Sequence, residues 1–321
     1  MENRFLKRLP VHPRIIYMGT PDFAVAPLVS LVDAGYEVSC VVTRPDRRKG
    51  RGRKPAPSPV KMAAGERGLE VLQPESVNLP EFHGVLEGRK PDLIVVVAFG
   101  QILKGALLSM GGWGIVNIHA SLLPLYRGPA PIQWAILNDE PRTGLTLMRM
   151  DQGLDTGPVL FQQEMEILPD ETAGSLHDRM SATAGGFLVR SLEALCEAAV
   201  ETPQDEAEAT YAPKITREMT LVDWDEPARR VCGRIRALDP VPGARTTFRG
   251  EPLKLFSASR AGDTDEKPVP GRVIQQEGRL IVETGEGLVA VGEVQAAGRR
   301  RMACSDFLRG FDLPAGSRLG T

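Results

Sequence analysis

The sequence predicts an α/β protein: a Rossmann-like, doubly wound, mostly parallel sheet, followed by a smaller C-terminal antiparallel β-barrel domain (OB-like). Three observations carry this. Short apolar runs alternate with helical periodicity up to residue 200, the pattern of βαβ units. One run, Asp92–Phe99 (DLIVVVAF), is continuously apolar, as a central strand covered on both faces must be. Beyond residue 210 the chain breaks into short alternating segments separated by Gly or Pro, the spacing of a small barrel.

Taken in order, Arg14–Met18 is a strand that turns at Gly19-Thr20-Pro21 into a helix, with Gly35 as its stop. Glu37–Thr43 is the second strand, Val60–Arg67 a helix and Glu70–Leu72 a third short strand. After the central Asp92–Phe99 come the strand Gly114–Ala120 and a helix over Pro129–Asn138. Gly144–Met150 and Val159–Ile167 read as a strand pair, and Ala173–Val200 as a long amphipathic helix. The predicted domains are 1–200, a connector at 201–210 that is acidic, contains Pro and lacks bulky apolar residues, and 211–321. In the last, Glu226–Ala237 is helical, and strands fall at Arg245–Arg249, Leu253–Ser259, Gly271–Gln276, Leu280–Thr284 and Val289–Val294.

Composition narrows the class. With 42% hydrophobic and 25% charged residues in 321, the chain is globular and long enough for two cores. No apolar run approaches the roughly 20 residues of a membrane span. The leader Met1–Pro13 has no apolar core of a secretory signal. Cys40, Cys196, Cys232 and Cys304 stand far apart with no CxxC pair, so reduced thiols, a cytoplasmic location and no metal site are expected. The net charge of −2 hides a partition: 19 basic against 13 acidic side chains in 1–150, 2 against 13 in 151–210, and 18 against 15 in 211–321. Two basic bodies flanking an acidic connector are compatible with a polyanionic partner.

A Rossmann-like sheet invites a nucleotide reading, but Gly19-Thr20-Pro21 matches neither GxGxxG nor GxxxxGK[ST]. The more informative pair is Asn117 and His119. Two apart on a strand, they project to one face while Ile118 packs behind, and at a strand's C-terminal end they aim into the crevice where such sheets bind ligands. By itself the pair also fits two satisfied polar residues at a strand end. The following segments, Ser121-Leu122-Leu123-Pro124 with Arg127-Gly128, then Asp151-Gln152-Gly153-Leu154-Asp155-Thr156-Gly157, change this. N-x-H, SLLP-x-x-RG and D-x-G-L-D-T-G, in this order, resemble the folate-dependent formyltransferases. The opening GTPDFA, the TRPD, GRG and SPVK pieces and VVAFG agree. Tyr211-Ala212-Pro213-Lys214-Ile215, Asp223-Trp224 and Ile235-Arg236-Ala237-Leu238 resemble the branch of that family that formylates initiator methionyl-tRNA. One departure is Val241 between two prolines, where that branch often has Trp.

The resemblance implies 10-formyltetrahydrofolate as formyl donor, initiator methionyl-tRNA as acceptor, and no metal. It implies catalytic roles for Asn117, His119 and Asp155, with Asn117 and His119 stabilising an oxyanion. Folate binding is implied for Ser121, Leu122, Leu123 and Pro124, and for Phe99, Gly100 and Asp151. For Arg127, surface, structural and site-mouth roles stay open. The run from Arg44 to Lys54 carries seven positive charges and one negative, so Arg47, Arg48, Lys49, Arg51, Arg53 and Lys54 are candidate tRNA contacts. The family's key loop arginine falls on Arg51. Arg245, Arg249 and Arg299-Arg300-Arg301 can track a phosphate backbone from the barrel. A monomer acting without a membrane is expected. Rival readings are formylation of a sugar-nucleotide amine or a glycinamide ribonucleotide, formyltetrahydrofolate hydrolysis, and an RNA-binding module on a degenerate scaffold.

Overall fold

The computed structural model describes residues 4–5, 7–49, 54–198, 200–264, 267–276 and 279–320. They form two compact units: one from the described residues up to Gly128 with Thr143–Met165 and His177–Tyr211, the other from Pro129–Arg142, Glu166–Leu176 and the described residues from Ala212 onward.

In chain order the elements are β1 (Arg4–Phe5), β2 (Arg14–Gly19), α1 (Val25–Asp33), β3 (Glu37–Val42), β4 (Arg47–Lys49), β5 (Lys54–Ala56), α2 (Pro59–Glu66), β6 (Val71–Leu72), α3 (Pro80–Glu87), β7 (Leu93–Val97), β8 (Gly114–His119), α4 (Pro131–Leu137), β9 (Arg142–Arg149), β10 (Val159–Glu166), α5 (Ala173–Glu197) and β11 (Val200–Glu201). The main sheet of the first unit has the order β10-β9-β8-β7-β2-β3-β6. Its strands β8, β7, β2, β3 and β6 run parallel, and β9 joins β8 antiparallel. The chain builds outward from β2 to β3 and β6, then returns to β7 on the other side, so the order reverses between β2 and β7. That reversal opens a crevice beyond the strands' C-terminal ends.

Sequence explains the centre. All five side chains of β7 are buried, as are Ile15–Met18 of β2, each contributing about 1.5–3 kcal/mol by leaving water. Ile16, Met18, Ile94 and Val96 pack on Leu86 of α3 and on Leu107. Pro21 leads into a short 3₁₀ turn at Asp22–Ala24 before α1, which stops at Gly35 with φ +80°. Ser58 caps α2 by accepting from the Lys61 N–H at 3.1 Å.

The second unit holds α4 and continues with α6 (Ala228–Ala237), β12 (Ala244–Phe248), β13 (Glu251–Arg260), β14 (Val273–Gln276), β15 (Arg279–Glu283), β16 (Leu288–Ala296), β17 (Met302–Ala303) and α7 (Cys304–Gly310). Its antiparallel curled sheet runs β12-β13-β16-β15-β14, with β17 on β16. Alternation puts Ala244, Thr246 and Phe248 inward, against Val231, Cys232 and Ile235 of α6 and Phe307 of α7. The other face of α6 carries Arg229, Arg230, Arg234 and Arg236. The fold class is therefore as expected, a Rossmann-like sheet plus a smaller antiparallel one.

Three details differ from the sequence reading. The two ends of the basic segment pair as a hairpin, Arg47 opposite Ala56 and Lys49 opposite Lys54. The helix α4 groups with the C-terminal residues, because it packs on α6 and its Trp134 indole N–H donates to the Pro213 carbonyl at 2.8 Å. Of the barrel arginines, Arg301 is held by Asp239 and Glu293 over the Phe256 ring, and Arg249 by Asp312. Arg299 and Arg300 are exposed.

Cys40, Cys232 and Cys304 are buried as free thiols, and burial pushes them up to about 11, 11 and 12. Cys196 is only partly covered and donates to the Pro10 carbonyl at 3.3 Å. Among the described residues, no group of His, Cys, Asp and Glu is arranged to hold a metal. None of their helices is long and apolar enough to cross a membrane.

Candidate active site

The end of β8 sets the site. Asn117 pairs with Met148 of β9 and His119 with Thr146, so both polar side chains lie on one face while Ile118 is buried on the other. His119 is itself buried. Its Nε2 lies 2.9 Å from the Tyr126 carbonyl oxygen. A carbonyl only accepts, so Nε2 carries a proton and donates. The other ring nitrogen, Nδ1, lies 3.7 Å from Asp155 Oδ2, an ion-pair distance too long for a hydrogen bond. The ring is thus pinned at one nitrogen and faces a carboxylate at the other. Among the described residues, none hydrogen-bonds to the Asn117 carboxamide, so its two N–H donors are free for a ligand.

Asp155 is fixed independently. Its Oδ2 accepts from the Gly128 N–H at 2.9 Å, and its backbone sits in the left-handed region at φ +54°. The DQGLDTG sequence makes that conformation. Asp151 Oδ1 accepts from the Gly153 N–H at 2.9 Å and the Thr156 hydroxyl at 2.7 Å. A Cβ on Gly153 would lie 1.9 Å from the Thr156 hydroxyl oxygen, and one on Gly157 1.8 Å from the Arg149 carbonyl oxygen. Both glycines are required by close approach.

The Ser121–Gly128 loop is tied from several sides. The Thr146 hydroxyl donates to the Ser121 carbonyl at 2.6 Å and accepts from the Leu123 N–H at 3.1 Å. Gln162 Nε2 donates to the Leu123 carbonyl at 2.8 Å. The Ser121 hydroxyl donates to the Leu125 carbonyl at 2.6 Å, across a cis Leu123–Pro124 bond. Leu122 packs over Gly144, where a Cβ would lie 2.5 Å from its Cδ2.

Arg127 has a structural place. Its side chain is fully enclosed, forks bidentately onto Glu206 at 2.9 Å twice, and donates through Nε to Gln204 at 2.9 Å. The Glu206 carboxylate, outweighing burial, raises Arg127 above its usual value, and Arg127 lowers Glu206. Gln204, Glu206 and Thr210 of the acidic connector therefore bond to the site loops.

At the neighbouring strand ends, the Phe99 ring is buried in the core beside Ile16 and Leu103, so Phe99 offers a ligand only backbone. Its carbonyl accepts from the Thr20 hydroxyl at 2.8 Å. Gly100 takes φ +83° next to Arg44. In the basic hairpin, Arg47 is exposed, and Arg48, Lys49 and Lys54 lie on the paired strands. Arg51 and Arg53 lie outside the described residues. Asp46 at the hairpin base bonds Lys61 Nζ and Gln73 Nε2, both at 2.8 Å, which together hold its carboxyl below the usual range.

The structure thus brings His119 and Asp155 together, with Asn117 on the same strand face. The reading of the sequence missed the Tyr126 carbonyl, Thr146, Gln162, Gln204 and Thr210. Strand periodicity puts Thr146 on the His119 face and was a usable signal; nothing local marks the connector residues.

Residues 13–192 match the family described as formyl transferase, and residues 214–312 the formyl transferase C-terminal domain. The chain is 42% identical to the methionyl-tRNA formyltransferase of Pelotomaculum thermopropionicum, covering 96% of this chain and 98% of that one. It is 46% identical to that of Geobacter metallireducens, covering 95% and 98%. Among solved structures, the sugar 3N-formyl transferase WlaRD matches with a TM-score of 0.65 and 17% identity, covering 91% of this chain and all of that one. HypX of Aquifex aeolicus, solved with tetrahydrofolic acid, matches with a TM-score of 0.64 and 20% identity, over 92% of this chain and 47% of its own.

Proposed function

The chain belongs to the formyl transferase family, and from that premise we propose that it transfers the formyl group of 10-formyltetrahydrofolate to the α-amino group of methionine on initiator methionyl-tRNA. The observation that carries the chemistry is an imidazole pinned through Nε2 by the Tyr126 carbonyl, with Nδ1 facing Asp155 at 3.7 Å.

The amine nitrogen attacks the formyl carbon, and the formyl oxygen becomes an oxyanion. The free Asn117 carboxamide and a protonated His119 Nδ1 donate to it. Such a donor is worth about 2.7–4 kcal/mol of transition-state stabilisation. Asp155 stabilises the imidazolium. Collapse breaks the bond from the formyl carbon to N10, which gains the proton that the amine gives up. Tetrahydrofolate leaves, and the methionine amine carries the formyl group. No step calls for a metal.

Ser121–Pro124 and the Asp151–Asp155 loop supply backbone amides and carbonyls for the flat, donor- and acceptor-rich pterin, joined by the backbone at Phe99 and Gly100. The basic segment, through Arg47, Arg48, Lys49, Arg51, Arg53 and Lys54, engages the acceptor end of the tRNA through phosphates. Residues 211–321 form a tRNA-binding domain with exposed Arg299 and Arg300. High identity along nearly the whole length to enzymes named for methionyl-tRNA supports this acceptor over a small amine.

The test offers labelled 10-formyltetrahydrofolate with charged initiator tRNA, uncharged tRNA and small amines in parallel. Label on charged initiator tRNA alone is the expected result. Label on a small amine, or free formate without an acceptor, overturns the acceptor assignment.

A further inference from the structure

The connector between the two family domains enters the site's architecture at three points, none of which the chemistry above uses. Gln204 has a carboxamide with every hydrogen-bonding group assigned. Its Oε1 accepts from Arg127 Nε at 2.9 Å, and its Nε2 donates to the Asp155 carbonyl at 2.8 Å and the Gly157 carbonyl at 2.7 Å. Glu206 holds the other edge of the enclosed Arg127 guanidinium. Thr210 brackets the residue that pins His119: its hydroxyl accepts from the Tyr126 N–H at 2.8 Å, and its carbonyl accepts from the Arg127 N–H at 2.9 Å. The Thr210 N–H donates to the Pro124 carbonyl at 3.2 Å.

We propose that Gln204, with Glu206 and Thr210, is a positioning clamp for catalysis, setting the separation of His119 from Asp155. Both backbone conformations that it grips are left-handed, Tyr126 at φ +61° and Asp155 at φ +54°. Non-glycine residues hold such conformations only where surroundings over-determine them. One grip orients the carbonyl that fixes the ring; the other orients the carboxylate that faces it. Only an amide can join the two, because position 204 must accept from a cation on one side and donate to two carbonyls on the other. Arg127 is then a strut between loops.

The inference rests on the formyl-transfer reading of His119 and Asp155, and two variants test it. Gln204→Met removes all three bonds; Gln204→Glu keeps the acceptor for Arg127 and loses only the donors toward Asp155 and Gly157. Expected in both is a loss in kcat for methionyl-tRNA formylation of about ten-fold, with the KM for 10-formyltetrahydrofolate within about two-fold, as for reacting groups moved by a fraction of an ångström. In Gln204→Glu the thermal midpoint stays near that of the parent. Amide hydrogen exchange over residues 151–157, measured without substrate, is faster in both variants. Wild-type kcat in both variants, a change in KM alone, or unchanged exchange over 151–157 overturns the clamp. Should Gln204→Met not fold, Gln204→Glu decides. If the parent protein does not formylate methionyl-tRNA, the functional reading fails, while the exchange measurement still decides the clamp.

Discussion

The loops around His119 and the hairpin that begins at Arg47 belong to the same unit and are built on opposite terms. In the first, nearly every polar group is committed: the Thr146 hydroxyl and the Gln162 carboxamide bond the loop after His119, and the Gln204 carboxamide and the Gly128 N–H bond Asp155. In the second, one carboxylate, Asp46, ties the base to Lys61 and Gln73. From there to Lys54 the sequence supplies cations with two Gly but no apolar anchor. The contrast matches the tasks proposed for the two. Proton and formyl transfer tolerate errors of a fraction of an ångström, whereas attraction to a polyanion depends on charge and reach.

The sharpest break of this comparison is Asn117→Ala. It removes an uncommitted donor from a fixed frame, so kcat falls about 10²–10³-fold while tRNA binding, read by filter retention, stays intact. Next is Gly157→Ala, whose Cβ has no room beside the Arg149 carbonyl. The loop carrying Asp155 must move, with a loss of about 10²-fold in kcat and a lower melting temperature. Wild-type turnover in either variant means that the cradle is less exacting than its bonding indicates. Thr146→Val leaves the Ser121 carbonyl and Leu123 N–H without their partner and costs about 1–3 kcal/mol, measured by urea unfolding.

On the hairpin side, Arg47→Ala together with Lys54→Ala raises the KM for the acceptor and leaves kcat unchanged. Each lost phosphate contact lowers the slope of log affinity against log salt by roughly one. A fall in kcat with an unchanged salt slope instead makes the hairpin part of the cradle. The smallest effect is at Asp46. Because its carboxyl is held below the usual range in the folded protein, its contribution to stability is present above the ordinary carboxylate range and is lost as pH falls through the depressed value. The stability gap between the parent and Asp46→Asn at neutral pH therefore closes in acid, as thermal melts across pH would register.

Much of this was legible in the residues. The apolar run at Leu93–Val97 announces a central strand, and the period of two places Asn117 with His119. The glycines of DQGLDTG, part of the family-like motif, are where a side chain has no room. Other features depend on contacts distant in sequence and leave no local mark. Arg127 is enclosed because Glu206, 79 residues on, reaches it. Phe99 is a folate candidate only through the family resemblance, and its ring packs inward on Ile16 and Leu103. The acidic connector reads as a tether because its composition is polar, yet its polar atoms are spent on the two loops. The hairpin pairing of Arg47–Lys49 with Lys54–Ala56 is likewise hidden in a sequence dominated by charge.

The thiols have a practical consequence. Three are sealed in the cores with their ionisation pushed to about 11 or higher, and burial with nearby acids raises Cys196 as well. Electrophilic dyes that seek thiolate at neutral pH find very little of it on the native protein. A cysteine introduced at an exposed position such as Arg47 would be singled out by kinetics alone, without first stripping the natural ones. The chain is thus ready-made for attaching a single fluorophore and testing whether the hairpin meets the proposed tRNA.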